Sequence, residues 1–227
     1  MATANYKFIS ASERQCVIYL IRHGESVGNL NRVCLGHTDL GLTDRGLAQA
    51  KLTADALMGL KIDGVYSSDL LRAMDTARPH AEIRGLPVNG RVDLRELYFG
   101  QWENKAVDYL RQTYGDLFDI GWRKMFGTFV APDGEAVVDM AKRAKAALSE
   151  IGRRHLGGAV IVASHAALIR ALWADISGKA PEEYADFVTF PTNASFTVIV
   201  YENDKLIPVS YSNDLHMGEL KTGIQTK

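Results

Sequence analysis

The chain holds 227 residues, 47% of them hydrophobic, and its formal net charge is −1. That is apolar material enough for a sizeable core. The near-zero charge excludes the broad basic field that draws a protein to nucleic acid or an acidic membrane, so any anion must be held by a local cluster of Arg and His.

Cys16 and Cys34 form no CxxC pair. So few thiols in a chain of this size argue against a disulfide framework and for a reducing, cytoplasmic setting. Residues 1–15 contain no apolar run of signal-peptide length, and Val17-Ile18-Tyr19-Leu20-Ile21 is of strand length, too short for a membrane span.

Residues 16–22 are apolar and β-branched, which predicts a strand buried on both faces, ending at His23-Gly24 with a helix from Glu25. Thr43 reads as the N-cap of a second helix, with Leu47, Ala50, Ala54, Leu57 and Met58 on its core stripe. Val65-Tyr66-Ser67 is a short strand. Ser68 is a candidate cap for a helix burying Leu70, Ala73, Met74 and Ala77, which Pro79 is expected to end or bend. Residues 88–92 read as a third strand. Residues 98–134 lack clean periodicity, hold Trp102 and Trp122, and read as a mostly helical excursion over the site. A helix over 136–151 carries Val137, Met140, Ala144, Ala147, Leu148 and Ile151 as its apolar stripe.

Residues 159–163 form a second central strand that runs into Ser164-His165 and a helix over 166–176. Two late strands, 196–201 and 206–211, flank a hairpin turn at Asn203-Asp204. The alternation predicts an α/β fold: a mostly parallel sheet sandwiched by helices, in one domain over 1–227 with a small helical cap inserted at roughly 98–134.

Two of these strands end in a polar, reactive group at their carboxyl end: Arg22-His23-Gly24 and Ser164-His165. Ligands of open parallel sheets bind in the crevice beyond those ends. Each His also precedes a helix, whose free N–H groups favour an anion. Arg22 offers a fork of donors suited to phosphate. Arg72 lies about 200° around its helix from Leu70, off the apolar stripe and on the same rim. Glu96, in Leu94-Arg95-Glu96-Leu97, supplies a carboxyl that can give up a proton. Taken singly, each residue has an ordinary reading as a solvated charge or a core histidine; the repeated strand-His-helix pattern is what points to a phosphoryl site.

The stretch Arg22-His23-Gly24-Glu25-Ser26-Val27-Gly28-Asn29 resembles the RHGE motif of the histidine phosphatase superfamily, in the branch that holds cofactor-dependent phosphoglycerate mutases and small-molecule phosphatases. The resemblance continues in order through Gly36-His37-Thr38-Asp39, Ser67-Ser68-Asp69-Leu70-Leu71-Arg72-Ala73, Leu94-Arg95-Glu96, Pro132-Asp133-Gly134-Glu135, Ser164-His165 and Asn193-Ala194-Ser195. It implies that His23 is the nucleophile, that Arg22, Arg72 and His165 hold the phosphoryl group, and that Glu96 is the general acid and later the base. It also implies phosphate or substrate contacts from Asn29, Gly36 and Ala166. The implied reaction is phosphomonoester hydrolysis of a small phosphorylated metabolite, with no cofactor, metal, nucleic acid or membrane. A mutase and a non-catalytic binding module are the alternatives. Phe99-Gly100-Gln101-Trp102-Glu103 has the form of the family's phosphatases, where its mutases tend to carry a Tyr-Gly-Gly stretch.

Two positions depart from the pattern: Ala166 stands where Gly is usual, and Ala136 where Ser is common. A modest effect on substrate shape is expected. The histidines (23, 37, 80, 155, 165, 216) show no HExxH-type ligand spacing. Ser177-Gly178-Lys179-Ala180 lacks the flanking residues of a P-loop. His37 and His216 read as structural or peripheral, and the oligomeric state and the substrate are open.

Overall fold

The computed structural model describes residues 8–124 and 127–223. The chain runs β1 (Gln15–Arg22), α1 (Val27–Leu30), β2 (Val33–Cys34), α2 (Asp44–Ala56), β3 (Gly64–Ser68), α3 (Leu71–Glu82) and β4 (Val88–Arg91). After it come β5 (Lys105–Ala106), α4 (Val107–Tyr114), α5 (Asp116–Lys124), α6 (Val137–Arg154), β6 (Ala159–Ser164) and α7 (Ala166–Ile176). The last elements are α8 (Tyr184–Phe187), β7 (Phe196–Glu202) and β8 (Lys205–Asn213).

The main sheet has the order β4-β3-β6-β1-β7-β8. β4, β3, β6 and β1 pair in parallel, β7 is antiparallel to β1 and β8 to β7, a mostly parallel sheet as the alternation predicts. The β7–β8 turn places Asn203 and Asp204 at φ 49° and 59°. Two successive left-handed residues match a tight turn to the twist of the strands. β1 and β6 are central and buried almost throughout. Their side chains alternate between two cores. Ile18, Leu20, Val160 and Val162 face α6 and α7, while Val17, Tyr19, Ile21, Ile161 and Ala163 face Ala73 and Ala77 of α3. No helix among the described residues is long and apolar enough to cross a membrane.

Four local readings need correction. The first helix starts at Val27 with Ser26 as its cap, so Glu25 stays outside it. In α2, Thr43 does cap the helix, but the buried face carries Gln49, Ala50, Thr53 and Ala54, followed by Leu57, while Leu47 and Met58 are exposed. Gln49 and Thr53 go inside because they bond main chain there: Gln49 Nε2–H donates to Leu220 O and Thr53 Oγ1–H to Ala194 O, each within 2.7 Å. The N-cap position of α3 belongs to Leu70, and Ser68 reaches only its N–H, at 3.4 Å. Pro79 does not end α3: the helix forgoes one bond there and closes with Ile83 N–H on Pro79 O at 3.3 Å.

Residues 98–134 hold α4, α5 and a 3-10 turn at Gly100–Trp102, while β5 pairs with β2. Trp102 is fully buried there, with the rings of Phe118, Phe129 and Tyr114 at 5.1, 5.5 and 5.6 Å from its own.

Candidate active site

Strand pairing alone assembles the centre. Arg22 and Ser164, the last residues of β1 and β6, are register partners. The residue after each is a histidine, so His23 and His165 come side by side: His23 N–H donates to Ser164 O at 2.9 Å, and the two rings meet edge to face with centroids 5.2 Å apart. The turn that follows β1 is tight against α2. A Cβ on Gly24 would lie 2.5 Å from the Gly46 carbonyl oxygen, and one on Gly46 would lie 2.1 Å from that of Glu25.

His23 is buried, and its Nδ1 faces Gly24 O at 2.7 Å. A carbonyl only accepts, so Nδ1 carries the proton and Nε2 keeps its lone pair. Burial first, then the charges of Arg72 and Arg22, hold the ring well below the usual imidazole range. Desolvation therefore outweighs the guanidinium charges in keeping this imidazole neutral. His165 is held down in the same way, by burial and then by Arg72. Neither of its ring nitrogens has a hydrogen-bond partner among the described residues.

Both arginines are buried. Arg22 Nη1–H donates to Pro191 O at 2.6 Å, while its Nε has no partner among the described residues. Arg72, off its helix's apolar stripe yet buried, donates from Nη1 to Thr38 O at 2.9 Å and from Nη2 to Gly36 O at 2.7 Å. Desolvation brings each guanidinium down to about 10, which leaves it charged at neutral pH.

Glu96 follows β4 and a 3-10 turn at Val92–Leu94, and its carboxyl lies against the start of α7. Oε1 accepts from Leu97 N at 2.9 Å and Leu168 N at 3.2 Å, and Oε2 accepts from Ala167 N at 3.1 Å. The helix start beyond His165 offers its free N–H groups, as its position predicts, but the carboxyl group seated on them belongs to Glu96.

Asn29 Oδ1 accepts from Ser26 N at 3.1 Å and from Asn193 Nδ2 at 3.2 Å. Its own amide N–H groups are then left as the donors it can offer a ligand.

These groups border a cavity of about 660 Å³ that takes Arg22, His23, Asn29, Gly36, Arg72, Glu96 and Ala166 into its lining. His165 contributes no surface to it and stands behind His23. Leu35, Phe99, Trp122 and Phe190 add apolar wall, and Arg32, Arg45 and Arg111 add positive charge. His37 does not line this cavity, and its Nε2–H donates to Glu96 O at 2.9 Å. His216 lies against the Phe196 ring, away from the cavity, with Nε2 3.1 Å from Thr53 Oγ1.

Residues that carried no assigned role in the sequence also shape the site. Thr76 Oγ1 accepts from Gly24 N at 3.0 Å, and Asn193 Nδ2–H donates to His23 O at 3.2 Å. Lys221, Thr222 and Gly223 reach the cavity from the far end of the chain, a closure with no local sequence signal. Among the described residues no cluster of three or more His, Cys, Asp or Glu is arranged to hold a metal ion.

Against this geometry stand the similarities to known proteins. The family model described as histidine phosphatase superfamily (branch 1) matches residues 18–214. Phosphoserine phosphatase 1 of Hydrogenobacter thermophilus is 30% identical over 202 residues, covering 89% of this chain and 94% of that protein. A probable phosphoglycerate mutase, GpmB, of Yersinia pestis is 33% identical over 165 residues, covering 71% and 74%. The structure of YhfR from Bacillus stearothermophilus superposes with a TM-score of 0.83 at 27% identity, covering 89% of this chain and 99% of that one.

Proposed function

Because the chain belongs to branch 1 of the histidine phosphatase superfamily, we propose that it hydrolyses the phosphomonoester of a small metabolite through a phosphohistidine on His23. One observation carries the reading. His23 is buried, held neutral beside Arg22 and Arg72, and bonded through Nδ1, so the lone pair of Nε2 is its reactive feature. A relative named phosphoserine phosphatase supports hydrolysis over other outcomes.

In the first step Nε2 attacks phosphorus in line with the ester oxygen. The N–P bond forms as the P–O bond breaks, and the leaving alkoxide takes a proton from Glu96. Arg22, Arg72 and the Asn29 amide stabilise the charge on the three equatorial oxygens, while His165, fully buried, packs against the His23 ring. In the second step Glu96 removes a proton from water, the water oxygen bonds to phosphorus, and the N–P bond breaks. His23 returns neutral and inorganic phosphate leaves. Gly36 contributes indirectly, through its carbonyl on Arg72, and Ala166 through the wall it forms. Arg22, His23, Arg72 and Glu96, which a non-catalytic relative would be expected to have lost, all border the cavity.

A cytoplasmic, reducing setting fits the two buried free thiols, Cys16 and Cys34. The mutase alternative has a specific support of its own, the 33% identical relative named a probable phosphoglycerate mutase. The test is a screen of phosphorylated metabolites for phosphate release, without added metal and then with a chelator. Release from at least one monoester, unchanged by the chelator, is the expected result. Silence across the panel, or activity that returns only with a divalent ion, overturns the reading.

A further inference from the structure

The segment that bears Glu96 is gripped by a residue that does not line the cavity. Arg143, on α6, uses all five of its guanidinium N–H groups. Nε–H donates to Glu135 Oε1 at 2.7 Å and Nη2–H to Glu135 Oε2 at 2.8 Å. Nη2 also donates to Glu96 O at 2.9 Å, and Nη1 to Asp93 O at 3.0 Å and Arg95 O at 2.7 Å. Three carbonyls of one short turn therefore share a single planar donor, and the bidentate bond to Glu135 sets the tilt of that plane.

Other bonds complete the grip. His37 Nε2–H donates to the same Glu96 carbonyl at 2.9 Å, and Ser164 Oγ–H to Leu94 O at 2.8 Å. Arg95 is paired with Asp69 through two bonds of 2.7 and 2.6 Å. The carboxyl end of Glu96 is meanwhile fixed by the first turn of α7. A side chain with three torsions is thus pinned at both ends.

We propose that Arg143 is a positioning residue for the proton donor, with Glu135 orienting it. The pair holds the main chain of Glu96 so that the carboxyl meets the leaving-group oxygen. This also gives a role to Glu135 in the Pro132-Asp133-Gly134-Glu135 stretch, which lies outside the phosphoryl cage. The proposal rests on the proton-donor role assigned to Glu96. Lysine cannot replace Arg143, because three donors on a rotatable ammonium do not reproduce a planar fork that meets four acceptor groups at once.

The experiment compares Glu96→Gln, Arg143→Ala, Arg143→Lys, Glu135→Gln and the double variant Glu96→Gln/Arg143→Ala. Each is assayed on an alkyl phosphate and on p-nitrophenyl phosphate, with Tm recorded. Glu96→Gln should lower alkyl kcat by about 10²- to 10⁴-fold and aryl kcat far less, because a good leaving group departs with little protonation. Arg143→Ala should lower alkyl kcat by about 10- to 100-fold, the scale set by an ångström of misplacement. Aryl kcat should fall no more than about threefold, since the cage is untouched. In the Glu96→Gln background the same change should add no more than about twofold. Arg143→Lys should behave like Arg143→Ala, and Glu135→Gln should show a smaller loss with the same alkyl bias. Should Arg143→Ala fail to fold, the lysine and Glu135 variants carry the test. Equal losses on both substrates, or full additivity in the double variant, overturn the proposal while Glu96 keeps its role. Equal losses in Glu96→Gln itself remove the proton donor and the proposal together.

Discussion

His23 donates its Nδ1 proton to the carbonyl oxygen of its own neighbour, Gly24, across 2.7 Å. The bond fixes ring and tautomer together, and Gly24 can supply it because no side chain fits between that turn and Gly46. Nε2 is left with a lone pair, in a ring that burial and two guanidinium groups keep neutral.

No neighbour can take over a nucleophile that forms the bond. His165 is adjacent but contributes no surface to the cavity. His23→Ala should therefore lose more than about 10³-fold in turnover. Acid-labile phosphate trapped on the wild-type enzyme during turnover should be missing from the variant. Activity persisting within tenfold of wild type removes the covalent mechanism.

The second expectation concerns what keeps that ring neutral. Arg72 is the largest charge contribution after burial, and both act in the same direction, lowering the pKa of His23. Removing the charge in Arg72→Gln should let His23 take up a proton at higher pH than in wild type. Because burial remains, the pKa should still stay below 6.5. Imidazole ¹⁵N shifts followed against pH measure this directly, whatever the variant does to turnover. An unchanged or lower pKa in Arg72→Gln excludes the charge as a cause.

How much of this was legible in the sequence depends on whether a signal is local. Thr43 announces α2 because a cap bonds its own helix, and the continuous apolar runs of β1 and β6 announce central strands. The meeting of His23 and His165 follows from both histidines ending such strands. The buried face of α2 was not legible, since Gln49 and Thr53 go inside to satisfy carbonyls of residues 220 and 194. The grip of Arg143 was equally silent, because main-chain carbonyls leave no mark in a sequence. Nor did anything before Lys221 and Thr222 foretell that they would close the cavity.

Ala136, where the family commonly has Ser, caps α6 with the right backbone, φ −72° and ψ 139°, but without a side-chain bond. Ala136→Ser should add about 0.5–1 kcal/mol of stability, the lower part of the usual cap range. The gain is held down because Val138 N–H already donates to Gly127 O at 2.8 Å. Chemical denaturation of both proteins decides it, and a less stable serine variant contradicts it.

His80 makes a prediction about stability and pH. It is buried in α3, neither ring nitrogen has a partner among the described residues, and burial pulls it down to about 3. Below its unfolded value near 6.5 the unfolded chain binds a proton that the folded chain does not, so stability falls as pH drops from there toward 3. At pH 5 this one group costs about 2 kcal/mol relative to pH 8. In His80→Leu that dependence is gone. The stability difference between variant and wild type should therefore move in the variant's favour by about that amount between pH 8 and pH 5. A difference that stays constant with pH rules this out.

The last expectation separates hydrolysis from isomerisation. A mutase must keep a phosphohistidine and a bisphosphorylated intermediate together while excluding water, which calls for a closed cover over the cavity. Here Leu30 and Arg32 line the cavity that holds His23, yet Leu30 is 63% exposed and the Arg32 side chain 62%. The rim of the cavity at these two residues is thus in contact with solvent. The segment after Glu96 is committed elsewhere: Trp102 is buried among Phe118, Phe129 and Tyr114, and Glu103 accepts from His37 N at 2.7 Å and Phe99 N at 3.2 Å. With 3-phosphoglycerate and a bisphosphoglycerate primer, the enzyme should give free phosphate or no product, and little 2-phosphoglycerate. Both products can be followed in one tube by ³¹P NMR. If isomerisation outruns phosphate release by a large factor, the exposed rim does not admit water to the phosphohistidine, and the chain is a mutase.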